Sequence, residues 1–200
     1  MATKLTAEQR KQLRLTLRNV VVAGPRVFEA VENEKSHKLE YSLTVRFYKS
    51  NPEHVAEFKR YLAVVDLADK YFWGADADAF GKRANKNPYG CGFGEDEEGG
   101  YYYLRAKCLA RPGVPGPKIV GRNKHIVLHA EDGLIRSGMI GNVVISVWCY
   151  VFGNNPGRAN ELHGLQYVDE GEPLAGGSLA TDDDFDNLED TGDMSDIMDA

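Results

Sequence analysis

Tyr101, Tyr103, Arg105 and Lys107 stand two residues apart in the segment Tyr-Tyr-Tyr-Leu-Arg-Ala-Lys-Cys. In a β-strand alternate side chains share a face, so two rings and two cations project together. Tyr102, Leu104, Ala106 and Cys108 project the other way. The first face cannot be wholly a dry core. It suits single-stranded nucleic acid, with bases stacked on the rings and phosphates paired with Arg and Lys. Stacking contributes roughly 1–3 kcal/mol per base and tolerates any base, because each has a π-face. An amphipathic strand with tyrosines half-buried at a sheet edge would leave the same pattern, since Tyr is also favoured in strands.

Other residues repeat this chemistry more weakly. Arg46 and Tyr48 share a face of the segment Leu39 to Tyr48, and Arg14 and Arg18 share one near the N-terminus. Trp148, Tyr150 and Phe152 form a second aromatic stripe. Both sides of that segment are apolar, so the pattern favours core packing there over base stacking. Lys118, Arg122 and Lys124 in a Gly/Pro connector could clamp phosphates, as could Arg158, the last basic residue of the chain. A solvated surface is the ordinary fate of such residues.

Catalytic and metal chemistry finds little here. His125 and His129 are four apart, but in a strand that spacing is about 13 Å, too far to share a zinc ion. Cys91, Cys108 and Cys149 form no C-x-x-C pair; their odd number and wide spacing suit a reducing compartment. Gly90-Cys-Gly-Phe-Gly lacks the G-K-[ST] ending of a phosphate-binding loop. Asp76 and Asp78, or Glu95 to Glu98, could hold Mg²⁺, although such runs are usually solvated. The reading therefore names no catalytic residue, metal ligand or cofactor.

The elements that must position the basic and aromatic residues follow from periodicity. Thr6-Ala-Glu-Gln predicts a capping box and a short helix. Leu13 to Val22 alternates and predicts a strand ended by Ala-Gly-Pro. Leu39 to Tyr48 is a clearer strand. Asn51-Pro52 predicts a helix start, and Val55, Phe58, Leu62 and Val65 carry one amphipathic helix to about Lys70. The Gly-, Asp- and Asn-rich residues 74–100 predict a long loop. Strands follow at Tyr101 to Cys108, His125 to His129, Ser137 to Phe152 and Leu162 to Val168. This order predicts a mainly β barrel or sandwich with one packed helix.

Charge divides the chain. Residues 159–200 hold thirteen carboxylates and no Lys or Arg, so residues 1–158 keep all 24 basic residues and carry a net +7, although the chain as a whole is −6. A cationic body suits a polyanionic partner. The Asp-rich residues 181–200 predict a disordered tail behind a folded domain of residues 1–180. No stretch approaches 18 apolar residues, and the first residues lack the apolar core of a signal peptide.

Several segments together resemble a known family: Leu17-Arg-Asn-Val-Val-Val-Ala-Gly-Pro-Arg-Val-Phe-Glu, Tyr41-Ser-Leu-Thr-Val-Arg-Phe-Tyr-Lys-Ser and Ser137-Gly-Met-Ile-Gly-Asn-Val. The most specific are Gly164-Leu-Gln-Tyr-Val-Asp-Glu-Gly-Glu-Pro-Leu-Ala-Gly-Gly and the following Asp182-Asp-Asp-Phe. They resemble phage-encoded single-stranded DNA-binding proteins of the phage T7 type. That resemblance implies an OB-fold-like five-stranded barrel with insertions, no catalysis, and protection of single strands in phage replication, recombination and repair. It implies single-stranded DNA as the partner, with duplex DNA bound more weakly, in the cytoplasm of the infected bacterial host and without membrane attachment. It also implies that Asp182, Asp183, Asp184 and Phe185 contact phage or host replication proteins and that the tail competes with DNA. The chain departs from the T7 type in ending Asp196-Ile-Met-Asp-Ala rather than on an aromatic residue. Two other readings fit the residues: a metal-dependent nuclease or nuclease subunit using Asp76 and Asp78, and a phage structural or inhibitory protein whose tail mimics DNA.

Overall fold

A computed structural model describes residues 5–34, 36–87 and 90–174. The predicted tail of residues 181–200, with Asp182, Asp183, Asp184 and Phe185, lies outside the described residues.

Helix α1 (Ala7–Gln12) starts at the predicted capping box, where Thr6 Oγ1 accepts from Gln9 N and Thr6 N donates to Gln9 Oε1. The strands are β1 (Arg14–Glu32), β2 (Leu39–Tyr48), β3 (Phe93–Asp96), β4 (Tyr101–Leu109), β5 (Lys118–Val120), β6 (Ile140–Phe152) and β7 (Asn155–Asp169). Antiparallel pairing runs β4-β2-β1-β6-β7, and a parallel contact of β4 with β7, Ala106 opposite Asn160, closes a five-stranded barrel. Strands β3 and β5 are added at the seam. The strand order and parallel closure are those of an OB-fold-like barrel. Leu17, Val45, Phe47, Leu104, Val143, Ile145 and Leu162 alternate into the interior and are almost fully buried.

Helix α2 (Pro52–Trp73) begins where Asn51-Pro52 predicts. Asn51 Oδ1 accepts from Glu53 N at 2.9 Å, satisfying an N–H that has no intrahelical partner. Its apolar face brings Phe58, Tyr61 and Val65 into the core. Phe58 stacks on Tyr102 with centroids 4.4 Å apart and planes 5° from parallel.

Four sequence expectations are corrected. Strand β1 does not end at Ala-Gly-Pro. Gly24 takes a positive φ of 54°, the register jumps from Ala23–Thr44 to Arg26–Ser42, and the strand continues past the bulge. Residues 74–100 are not one loop. They hold a 3₁₀ turn, helix α3 (Ala77–Asn85) and β3. Small residues Gly81 and Ala84 seat α3 over Asp69 and Arg158; a Cβ on Gly81 would lie 3.0 Å from Asp69 Oδ2. His125 to His129 is not a strand; Asn123 Oδ1 turns the chain by accepting from His125 N, and only Val120 and Val127 form a bridge. Strand β7 starts seven residues before the expected Leu162, because two inward positions there, Arg158 and Asn160, are polar and break the apolar alternation.

Candidate nucleic-acid interface

The outer face of β2 and β4 is built by register. Tyr48 lies opposite Tyr101, Arg46 opposite Tyr103, Thr44 opposite Arg105, and Ser42 opposite Lys107. Their neighbours Val45, Leu43, Leu104 and Ala106 fill the core, so the six predicted residues Arg46, Tyr48, Tyr101, Tyr103, Arg105 and Lys107 share one outward surface. The continuation of β1 adds Arg26, exposed and opposite Ser42. Sequence reading missed Arg26 because Gly24-Pro25 reads as a strand end; Val27, Ala30 and Val31 beyond it are the apolar signal that the chain continues.

The rings are held in place. The Arg46 guanidinium sits 4.5 Å from the Tyr101 ring centroid, and Tyr48 and Tyr103 meet that ring edge-on at 5.6 and 6.5 Å. Tyr101 donates its hydroxyl hydrogen to Asp96 Oδ2 at 2.8 Å. The N–H of Gly99, and secondly that hydroxyl, hold the Asp96 carboxyl below the usual carboxylate range. Desolvation, and secondly the bond to Asp96, push the Tyr101 phenol up. The hydroxyl end of the Tyr103 ring lies against Gly94, where a Cβ would come 2.5 Å from it. Lys107 Nζ is paired with Glu40 at 2.9 Å, while Arg26 and Arg105 have no carboxylate partner among the described residues. The surface therefore offers rings for stacking and unneutralised guanidinium groups for phosphates.

A buried polar pin supports it at the seam. Tyr61 donates to Asn160 Oδ1 at 3.0 Å, and Asn160 Nδ2 donates to the carbonyls of Gly92 and Arg105 at 2.7 and 3.1 Å. Burial pushes the Tyr61 phenol well above its ordinary value.

The other predicted residues stand elsewhere. Arg158 is corrected: its side chain is 4% exposed and cannot reach a ligand. Its Nε and Nη2 donate to the two Asp69 oxygens at 2.8 and 2.6 Å, and its Nη1 donates to Asn85 Oδ1 at 2.6 Å. This pair ties α2 and α3 to β7. Desolvation pushes the neighbouring Cys149 thiol far above its usual range, with the Asp69 charge adding to the effect. The core reading of Trp148, Tyr150 and Phe152 is also corrected. The odd-numbered residues of β6 from Gly141 to Cys149 fill the core, and these three face outward, with Trp148 41% and Phe152 81% exposed. The Tyr150 ring lies against Gly157, and Trp148 and Tyr150 are 5.4 Å apart. Lys118, Arg122 and Lys124 are exposed along the β5 edge, and Arg122 is paired with Asp169 at 3.2 Å. Asp76 and Asp78 are exposed around the start of α3, and no three His, Cys, Asp or Glu among the described residues gather as a metal site. No helix among the described residues is long and apolar enough to cross a membrane.

A closed barrel with rings and guanidinium groups on its second and third strands has the architecture of oligonucleotide-binding OB folds. The family model described as Enterobacter phage Enc34, ssDNA-binding protein, matches residues 13–195, and the chain belongs to that family. It is 27% identical to protein p50 of Acyrthosiphon pisum secondary endosymbiont phage 1 over 88% of this chain and 94% of that one. Among solved structures it resembles the single-stranded DNA-binding protein from bacteriophage Enc34 in complex with ssDNA, with a TM-score of 0.60 at 19% identity over 82% of this chain and 91% of that one. It also resembles gp2.5, a single-stranded DNA-binding protein encoded by bacteriophage T7, with a TM-score of 0.51 at 19% identity over 91% and 98% of the two chains.

Proposed function

We propose that this chain binds single-stranded DNA, with little sequence preference, through the outer face of β2 and β4. The observation that carries this reading is the lateral row of Arg46, Tyr48, Tyr101, Tyr103, Arg105 and Lys107, joined by Arg26, on a barrel whose family is that of a phage single-stranded DNA-binding protein. Bases stack on Tyr103 and its neighbours, and phosphates pair with the free guanidinium groups. Trp148 and Tyr150 offer further stacking surface, and Lys118 and Lys124 further charge. The protein protects and organises single strands in phage replication, recombination and repair in the cytoplasm of the infected host. Residues 1–180 form the binding domain, and residues 181–200 act as an acidic tail. That tail, through Asp182, Asp183, Asp184 and Phe185, recruits phage or host replication proteins and competes with DNA for the body. Duplex DNA binds more weakly, since its paired bases cannot reach the rings.

Titration of a labelled oligonucleotide, single-stranded and duplex, with and without Mg²⁺, tests this. Tight binding of the single strand, weaker binding of the duplex and an intact oligonucleotide are expected. Mg²⁺-dependent cleavage would support the nuclease reading instead, and no binding to either form would leave the structural reading.

A further inference from the structure

A cleft of about 570 Å³ opens on the barrel wall beside the proposed face, between α1, the C-terminal end of α2 and the outer surface of β6 and β7. Its floor is apolar, with Leu13, Phe72 and the exposed ring of Trp148, and its rim carries Arg10 and Lys11 of α1 and Arg14 at the start of β1. These three cations are exposed and have no carboxylate partner among the described residues. The volume lies in the range of small-ligand sites, which combine apolar walls with a few placed polar groups.

The register connects this cleft to the β2–β4 face. Trp148 lies opposite Ala159 on β7, and Ala106 of β4 lies beside Asn160. One residue back on both strands brings Arg105 level with Ala159. Trp148 and Arg105 are thus two strand spacings apart, roughly 10 Å, with only a methyl group between them on the surface. The next row holds Lys107, Glu161 and Ser146. Glu161 is the carboxylate of the cleft wall, so it repels a phosphate on the β7 side and leaves the α1 side as the charged path.

We infer that this cleft is a second subsite for the same single strand. A base enters against Trp148, and the flanking phosphates pair with Arg10, Lys11 and Arg14. The inference rests on the reading of the chain as a single-stranded DNA-binding protein and lengthens its site beyond the β2–β4 face. Arg10 and Lys11 are exposed on α1 and make no side-chain hydrogen bond or ion pair among the described residues, so their removal should spare the fold.

The test uses the full chain, thymidine oligonucleotides of increasing length, and the fluorescence of Trp148, with Trp148→Phe reporting the share from Trp73. Oligonucleotides too short to leave the β2–β4 face should bind the R10A/K11A variant as they bind the unaltered protein. Longer ones should quench Trp148 and should bind the variant more weakly, with a log–log salt slope shallower by about 1.4 for two lost phosphate contacts. Tyr103→Ala should weaken short and long alike, which separates the two sites. Failure of the unaltered protein to bind any oligonucleotide would overturn the functional reading itself. Equal binding of long oligonucleotides by R10A/K11A and the unaltered protein would overturn the cleft alone. So would quenching of Trp148 by a peptide of residues 182–186 but not by long oligonucleotides, because the cleft would then belong to an acidic peptide.

Discussion

Tyr103 and Asp69 are both polar groups of the barrel region, and their removal should do opposite things. Tyr103 projects outward and rests on Gly94. Tyr103→Ala should weaken binding of single-stranded DNA by roughly 1–3 kcal/mol, the contribution of one stacked base, and leave thermal unfolding nearly unchanged. Titration and calorimetry of the same variant check both halves; early unfolding with unchanged binding by the folded fraction would return Tyr103 to the core. Asp69 is buried beneath α3 and holds Arg158 through two hydrogen bonds. Asp69→Ala strands a buried guanidinium group, which costs about 3–5 kcal/mol, and should lower denaturant stability by that order. Tyr103 was legible in the sequence because strand alternation is local. Arg158 was not, because a lone Arg reads as a solvated cation until the fold brings Asp69, 89 residues away in sequence, against it.

Strand β2 and the start of α2 were legible to the residue, since alternation, the Asn51 cap and Pro52 are all short-range signals. Helix α3 and strand β3 were not. Their Gly and Asp content reads as loop, and what stabilises them is contact with distant residues: Gly81 against Asp69 and Arg158, Gly94 against Tyr103. The same contact makes Gly94 a sensitive position. Gly94→Ala places a methyl where the Tyr103 ring lies, and the flexible ring end moves more cheaply than backbone. The fold should therefore survive with an unchanged melting temperature. DNA binding should weaken by less than the roughly 1–3 kcal/mol of a full stack. Oligonucleotide titration decides it, and unchanged affinity would show that the ring's position is immaterial. The bulge at Gly24 hid the far half of β1 in the same way, and with it Arg26.

The charge split along the chain was legible from composition alone, and the barrel gives its cationic part a shape. Nine carboxylates from Asp182 to Asp199 are tethered to a domain, residues 1–180, that carries 24 basic and 21 acidic residues, a net +3. Tethering supplies them at an effective concentration that can reach the millimolar range, so they should compete with DNA. Removal of residues 181–200 should tighten binding most at low salt, where screening is weakest; identical affinities of full-length and shortened chains there would leave partner recruitment as the tail's role. The claim beneath all of these is that phosphates are neutralised on the β2–β4 face while bases stack beside them. Its most direct test is the affinity for a single-stranded oligonucleotide spanning that face, measured across a series of salt concentrations. Three neutralised phosphates, one each at Arg26, Arg46 and Arg105, predict a log–log slope of about −2, with single-stranded DNA bound more tightly than duplex throughout. A slope near zero, or equal affinity for duplex, would contradict it.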